Sequence, residues 1–203
     1  MVVDLWFPLV GQTLPADHGY GLYGAICRML PGMHGSDWWG LHTVRGACSN
    51  PGVIALPRHS RLGIRIVADQ IINVLPLAGR QLEIDGHHVG LGSPTIQALA
   101  PSPALSARMV TIKDSTELEP FKDAVGRQLA ELSITNETVE VGSRKIVTID
   151  SYKIVGFSLR VTGLSPRYSI KLQEEGLGGR RRMGCGIFRR SVRMLAPDRR
   201  PIG

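Results

Sequence analysis

Between residues 2 and 10 the chain alternates, with Val3, Leu5, Phe7 and Leu9 on one face of an extended backbone. That two-residue period predicts a strand. Pro8 cannot donate to a strand ladder and marks an edge or a bend there. The period then lengthens: Leu22, Ile26 and Leu30 recur at helical spacing and predict a helix over 17–30. Asp17 is its expected N-cap, and Pro31-Gly32 its stop. Gly19, Gly21 and Gly24 weaken helix propensity, so this helix is expected to press closely on something flat. Strands follow at 41–45, 52–56 and 62–67, then a short helix at 68–77. A strand at 81–89 comes next, in which Leu82 and Ile84 alternate with Glu83 and Asp85.

The Pro/Ser/Ala stretch at 99–106, LAPSPALS, interrupts the pattern and divides the chain into domains 1–100 and 101–203. Beyond it the same order returns. A strand is predicted at 108–113. A helix at 118–132 carries Phe121, Val125, Leu129 and Leu132 on one stripe. Antiparallel strands at 139–149 and 153–162 turn at Asp150-Ser151. A helix starts at the N-cap Ser165, with Pro166 in its first turn, and runs to about Glu175. A last strand spans 185–192. Strand–helix–strand–strand–helix–strand, twice over, is a tandem ferredoxin-like (RRM-like) βαββαβ architecture of the α+β class. Sheets of this kind bind RNA in many modules, but a fold alone assigns no function.

Between the last helix and the last strand lies GLGGRRRMGCGIF, residues 176–188, with five glycines around Arg180, Arg181 and Arg182. Glycine lets a backbone approach closely and turn through positive φ, and successive N–H groups in such a loop can form a concave anion site. Arginine forks suit phosphate. A phosphate-binding loop is therefore predicted, with Gly178, Gly179, Arg180, Arg181 and Arg182 at its centre. The bland alternative is a solvated basic hairpin loop.

Charge sharpens this. The 203 residues carry a net charge of +7. From residue 167 on, Arg167, Lys171, Arg180, Arg181, Arg182, Arg189, Arg190, Arg193, Arg199 and Arg200 face only Glu174, Glu175 and Asp198. A one-sided basic end points to nucleic acid or an acidic membrane surface. Glycines interrupt the basic tail, so it is not an amphipathic membrane helix. No apolar run reaches spanning length, and Asp4 spoils the N-terminus as a signal peptide. Cys27, Cys48 and Cys185 are widely spaced and suggest neither a zinc site nor a disulfide framework. A reducing cytoplasm fits them. No carboxylate or His/Cys cluster asks for a metal, and no cofactor is expected.

A tandem ferredoxin-like chain that ends in helix, GLGGRRRMGCGIF and strand resembles the CRISPR repeat-RNA endoribonucleases of the sixth Cas family. The shared feature is the glycine-rich loop closing with a G-x-G-hydrophobic step, here Gly184-Cys185-Gly186-Ile187. The opening LPADHGYGLYGAICRMLPGMHG resembles the small subtype first named from myxobacteria. The resemblance implies metal-free cleavage of precursor CRISPR RNA within each repeat. The ribose 2′-hydroxyl attacks the adjacent phosphate and leaves a 2′,3′-cyclic phosphate and a 5′-hydroxyl. It further implies a general acid or base histidine just after the first helix. Leu30-Pro31-Gly32-Met33-His34 matches the family's x-Pro-x-x-His ending, so His34 takes that role. His42 is the second candidate, and Tyr23, on the first helix, is a candidate for positioning substrate. Histidine has the side-chain pKa best matched to proton transfer near neutrality.

Arg180, Arg181 and Arg182 are then expected on the phosphates of the repeat stem-loop, flanked by Lys171, Arg189 and Arg190. Some of these six are expected simply to face solvent. Arg45 is a further candidate for stabilising the phosphorane. Trp38 and Trp39 read as one buried and one partly exposed ring. His18 reads as a helix-end histidine, and His59, His87 and His88 as surface or loop residues. Expected partners are CRISPR repeat RNA and the other Cas subunits of an effector complex. The alternative is a non-catalytic subunit that only holds processed RNA. A generic RRM-type RNA binder ranks last, because aromatic residues are 5% of the chain and no RNP-type motif is present.

Overall fold

The alternating N-terminal stretch forms the central strand of the first half of the computed structural model, which describes residues 1–191. In chain order this half contains β1 (Val2–Val10), β2 (Thr13–Pro15), α1 (Gly19–Met29), β3 (Trp39–His42), β4 (Ala47–Asn50), β5 (Val53–Ala55) and β6 (Arg61–Val67). It continues through α2 (Ile71–Val74), β7 (Gln81–Ile84), β8 (His87–Leu91) and β9 (Thr95–Ala98). The second half contains β10 (Ala104–Val110), α3 (Leu118–Glu131), β11 (Thr138–Ile149), β12 (Tyr152–Thr162), α4 (Pro166–Glu175) and β13 (Arg189–Arg190). Backbone proximity divides the chain into two units. One is Met1–Leu99 together with Arg182–Gly184, and the other is Ala100–Arg181 together with the described residues from Cys185 on. The end of the predicted last strand at Val192, and Arg193, Arg199 and Arg200, lie outside the described residues.

In unit 1, β1 pairs antiparallel with β6 on one side and with β9 on the other, and β3 pairs with the far edge of β6. The order β9-β1-β6-β3 is that of a ferredoxin-like βαββαβ sheet. Val3, Leu5, Phe7 and Leu9 pack with Leu22, Ile26, Leu62, Ile64 and Ile66 in one core. β1 is central, not an edge, and Pro8 is accommodated by a change of partner. β1 leaves β9 after Trp6↔Thr95 and joins β8 at Leu9↔Leu91. The Pro8 carbonyl accepts from Gly92 N on that side, so the missing N–H falls in the gap between the two ladders. α1 starts at Gly19, with His18 rather than Asp17 at the N-cap position. A Cβ on Gly21 would lie 2.7 Å from the Ile84 side chain, so the helix presses on β7 as its glycines predict. The single strand expected at 81–89 is instead the hairpin β7–β8. Asp85 (φ 49°) and Gly86 (φ 80°) both take left-handed conformations at its turn, the pattern of a two-residue hairpin loop. β2, β5 and β4 form a small separate sheet.

Unit 2 has the strand order β11-β12-β10-β13, again ferredoxin-like. Phe121, Val125 and Leu129 of α3 and Leu172 of α4 pack on Leu105, Ala107, Phe157, Leu159 and Val161. The α3 stripe, the turn at Asp150-Ser151 and the Ser165 cap, which accepts from Tyr168 N at 3.3 Å, lie where the pattern puts them. β10 starts at Ala104, earlier than the predicted 108. Its first residues, Ala104 to Ser106, belong to the Pro/Ser/Ala stretch, whose composition masks the alternation that begins at Leu105.

Candidate active site

Unit 1 gathers Tyr23 from the middle of α1, His34 from the loop after it, and Arg182. Tyr23 follows Leu22 on the helix face turned toward the core. Its ring stacks on the buried Trp39 at 5.9 Å and 16°. The chain then leaves α1 through a 3-10 turn, Pro31–Met33, in which Met33 N donates to Leu30 O and His34 N to Pro31 O. The Met33 carbonyl in turn accepts from Ser36 Oγ at 2.8 Å and from Trp39 Nε1 at 3.0 Å. His34 therefore stands on a loop tied on both sides, with its side chain exposed. Tyr23 Oη lies 3.1 Å from His34 Nδ1.

Arg182 completes the group. It donates from Nη1 to the Ser36 carbonyl at 2.8 Å, and its guanidinium carbon lies 6.0 Å from the centroid of the Tyr23 ring, within cation–π range. The segment Arg182–Gly184 is held close because Gly19 has no side chain. A Cβ there would collide with the Met183 carbonyl oxygen, and one on Gly184 would collide with Thr43.

The electrostatics fix one protonation state. Burial pushes the Tyr23 phenol up, and the neighbouring Cys27 adds to this, while the Gly35 amide and Arg182 pull the other way. The hydroxyl therefore stays protonated at neutral pH. Burial also raises the Cys27 thiol, against a hydrogen bond from Tyr23 and the charge of Arg182. With Nδ1 engaged by Tyr23, Nε2 is the ring nitrogen of His34 left for proton transfer. When Nδ1–H donates to the Tyr23 oxygen, Nε2 carries a lone pair in the neutral ring and a proton in the imidazolium. These are the two states that a general base and a general acid require.

His42 lies elsewhere. It is 3% exposed, and its Nε2 is 2.9 Å from Asp4 Oδ1. Arg65 donates to both Asp4 oxygens, from Nε at 2.8 Å and Nη2 at 2.9 Å. The His42 ring lies tilted at 31° against Trp6, with the centroids 4.8 Å apart. Burial works to raise the Asp4 carboxyl, but the hydrogen bonds from His42 and Arg65 outweigh it and hold it well below the usual carboxylate range. His42 is thus part of a buried ion cluster and is not brought to Tyr23 and His34. His18 is buried too: Nδ1 donates to Pro15 O at 2.7 Å and Nε2 accepts from Val44 N at 3.0 Å. His87 meets Thr13 Oγ1 at 2.8 Å, and His59, His88 and Arg45 are exposed. Trp39 is buried and Trp38 half-buried.

In unit 2 the glycine-rich stretch is built into its neighbours rather than left open. Gly178 N donates to Gln128 Oε1 at 2.7 Å, Gly179 N to Thr111 O at 2.9 Å and Gly186 N to Met109 O at 2.8 Å. Any Cβ on Gly176, Gly178 or Gly186 would strike a backbone carbonyl. These glycines serve close packing, and the Gly178 and Gly179 amides are not free to cradle a phosphate. Arg181 donates to Glu174 O at 2.6 Å and Lys171 Nζ to Leu132 O at 2.9 Å. Both therefore cap carbonyls at helix ends. Arg180 is exposed at a φ of 62°. Arg189 and Arg190 sit on β13 opposite Ser106 and Leu105.

Two participants were missing from the sequence reading. Cys27 lies four residues after Tyr23, a spacing that places both on one helix face. Ser36 acts through its main-chain carbonyl, which no residue pattern reveals. Among the described residues, no group of three or more His, Cys, Asp or Glu is placed to hold a metal ion, and no helix is long and apolar enough to cross a membrane.

Comparison with known proteins agrees with the fold. The Cas6 Crispr family matches residues 3–191. A CRISPR-associated endonuclease Cas6 from Myxococcus xanthus (strain DK1622) is 40% identical over 186 residues, covering 92% of this chain and 80% of the relative. A solved structure described as a Cas6-related gene from Pyrococcus furiosus matches with a TM-score of 0.68 at 12% identity, over 96% of this chain and 100% of that one. Thermus thermophilus Cse3 bound to an RNA representing a pre-cleavage complex matches at 0.51 and 13% identity, over 93% and 98%. At such identities the two structures speak for the fold alone. The family match and the 40% identity go further: the chain belongs to the Cas6 family of CRISPR proteins.

Proposed function

We propose that this protein is a metal-independent endoribonuclease that cleaves precursor CRISPR RNA within its repeats and keeps hold of the product in a cytoplasmic effector complex. The observation that carries the reading is the Tyr23–His34 pair beneath the Arg182 guanidinium, in a member of the Cas6 family. In the reaction the 2′-hydroxyl loses its proton, its oxygen bonds to the adjacent phosphorus, and the bond from phosphorus to the 5′-oxygen breaks. The 5′-oxygen takes up a proton. The products are a 2′,3′-cyclic phosphate and a 5′-hydroxyl. His34 Nε2 makes one of the two proton transfers, which contributes about 10²–10⁴-fold. Tyr23 holds the ring. Arg182 has guanidinium N–H groups beyond the one given to Ser36 and directs them at the oxygens that gain charge. Arg180, Arg189 and Arg190 bind phosphates of the repeat stem-loop.

The test is cleavage of a synthetic repeat RNA in EDTA, with analysis of the product ends. Cyclic phosphate ends are expected, and a single 2′-deoxy substitution at the nucleotide before the cut should stop cleavage while leaving binding intact. Continued cutting of the deoxy substrate, or loss of activity in EDTA restored by a divalent cation, would overturn the proposal.

A further inference from the structure

The candidate site has an aromatic neighbour that proton transfer does not use. Tyr20 lies one helical turn before Tyr23 on α1, and its ring stacks on the Tyr23 ring at 6.4 Å and 24°. Tyr23 in turn stacks on Trp39. Tyr20, Tyr23 and Trp39 therefore form a column of near-parallel rings. Its inner end is buried, with Trp39 at 2% exposure, and its outer end is open, with Tyr20 at 38%. An exposed tyrosine is ordinary by itself. This one is the outer ring of a stack whose middle ring touches His34 Nδ1 and lies under Arg182. Gly19, the residue before it, packs on the Met183 carbonyl and fixes the helix turn that carries Tyr20 next to the Arg182–Gly184 segment.

The reaction gives such a ring a task. In-line attack needs the 2′-oxygen, phosphorus and 5′-oxygen close to one line. Continuous helical stacking of the two flanking nucleotides holds the 2′-oxygen out of that line, so one base must leave its stack at the cut. Unstacked bases in RNA recognition are commonly received on aromatic side chains. Every base has a π-face, so such a platform tolerates sequence while fixing position.

We infer that Tyr20 is a positioning residue: it receives the base of the nucleotide whose 2′-hydroxyl attacks and holds that nucleotide splayed against His34. This depends on cleavage at His34 as proposed above. It adds to that reading a subsite for a splayed nucleobase at the outer end of the aromatic column. Arg182 meets the phosphate and Tyr20 meets the base on its 5′ side.

The experiment is single-turnover cleavage of a synthetic repeat RNA, intact or abasic at the nucleotide before the cut, by wild type, Tyr20→Ala and Tyr20→Trp. A stacked base is worth roughly 1–3 kcal/mol, so Tyr20→Ala is expected to lower the efficiency on intact RNA about 10- to 100-fold. Tyr20→Trp, which keeps a ring face, restores most of that loss. The abasic substrate lowers wild-type efficiency by a similar factor, and Tyr20→Ala adds no more than a few-fold on top. Undiminished cleavage by Tyr20→Ala would overturn the inference. So would an equal loss on intact and abasic RNA, since that would mark Tyr20 as packing for Tyr23. A wild-type protein that cuts no repeat would sink the proposed function itself, whereas intact wild-type cleavage with a silent Tyr20→Ala would sink only this subsite.

Discussion

Tyr23 acts on His34 through a single hydrogen bond, and its ring acts on the surrounding fold through Trp39. The two contributions separate in Tyr23→Phe, which keeps the stack and removes the hydroxyl. A hydrogen bond of this kind contributes about 0.5–1.5 kcal/mol. Single-turnover cleavage by Tyr23→Phe is therefore expected to fall roughly 3- to 10-fold with RNA affinity unchanged. A larger fall in affinity than in rate would place the hydroxyl on the RNA instead. Asp4 shows what a buried charge does elsewhere in the same unit. Its carboxyl is held low in the folded chain. Its stabilising contribution is complete above the unfolded value of about 4 and is lost as pH falls toward the lower folded value. Resistance to urea is expected to drop between about pH 5 and pH 2. Asp4→Asn should flatten part of that drop and lower stability at pH 7 by roughly 3–5 kcal/mol, because Arg65 stays buried without its carboxylate. An unchanged pH profile in the variant would contradict the assignment. His34 and Tyr23 stood out in the sequence because a family pattern and a helix position marked them. The fate of His42 could not be read there. On a strand its side chain takes either face, and only the cross-strand pairing of Asp4 with Arg65 decides that it meets buried charges.

At the scale of elements, α1 and the segment Arg182–Gly184 are held together by the absence of a side chain at Gly19. Gly19→Ala places a methyl against the Met183 carbonyl, a backbone atom that cannot rotate away. Such overpacking costs typically 1–3 kcal/mol, and here it displaces Arg182 from Tyr23. The cleavage rate is expected to fall at least tenfold at a temperature where circular dichroism still shows a folded protein. A folded variant with wild-type rate would separate Arg182 from catalysis. The glycine-rich stretch in unit 2 differs from its expectation for a related reason. A run of glycines permits two things, free amides around an anion and close backbone packing, and composition cannot choose between them. The choice is made by Thr111, Met109 and Gln128, which lie far away in sequence and take up the Gly179, Gly186 and Gly178 amides. The β7–β8 hairpin was within reach of the sequence. Asp85-Gly86 is a hairpin-turn dipeptide, and the alternation on either side hid it by suggesting one continuous strand.

For the whole molecule, the repeated strand–helix order was readable because long periodic segments dominate the pattern. The short strands β2, β4 and β9 were not, since each has four residues or fewer and is set by its partner strand. Charge belongs to this scale as well. RNA affinity is expected to fall with salt at a slope of about −0.7 per phosphate neutralised on a single strand. Arg180→Ala should weaken binding and reduce the slope by about that amount. Arg181→Ala should show itself first as a lower melting temperature, since Arg181 donates to a carbonyl at the end of α4. Equal effects of the two variants on the slope would contradict that division between a phosphate contact and a helix cap.

Cleavage of RNA by His34 is measured by single-turnover reaction of one repeat RNA with wild type and His34→Ala, with both proteins saturating the RNA. The rate for His34→Ala is expected to be about 10²–10⁴-fold lower at unchanged RNA affinity. Cleavage by His34→Ala at the wild-type rate would contradict this role of His34.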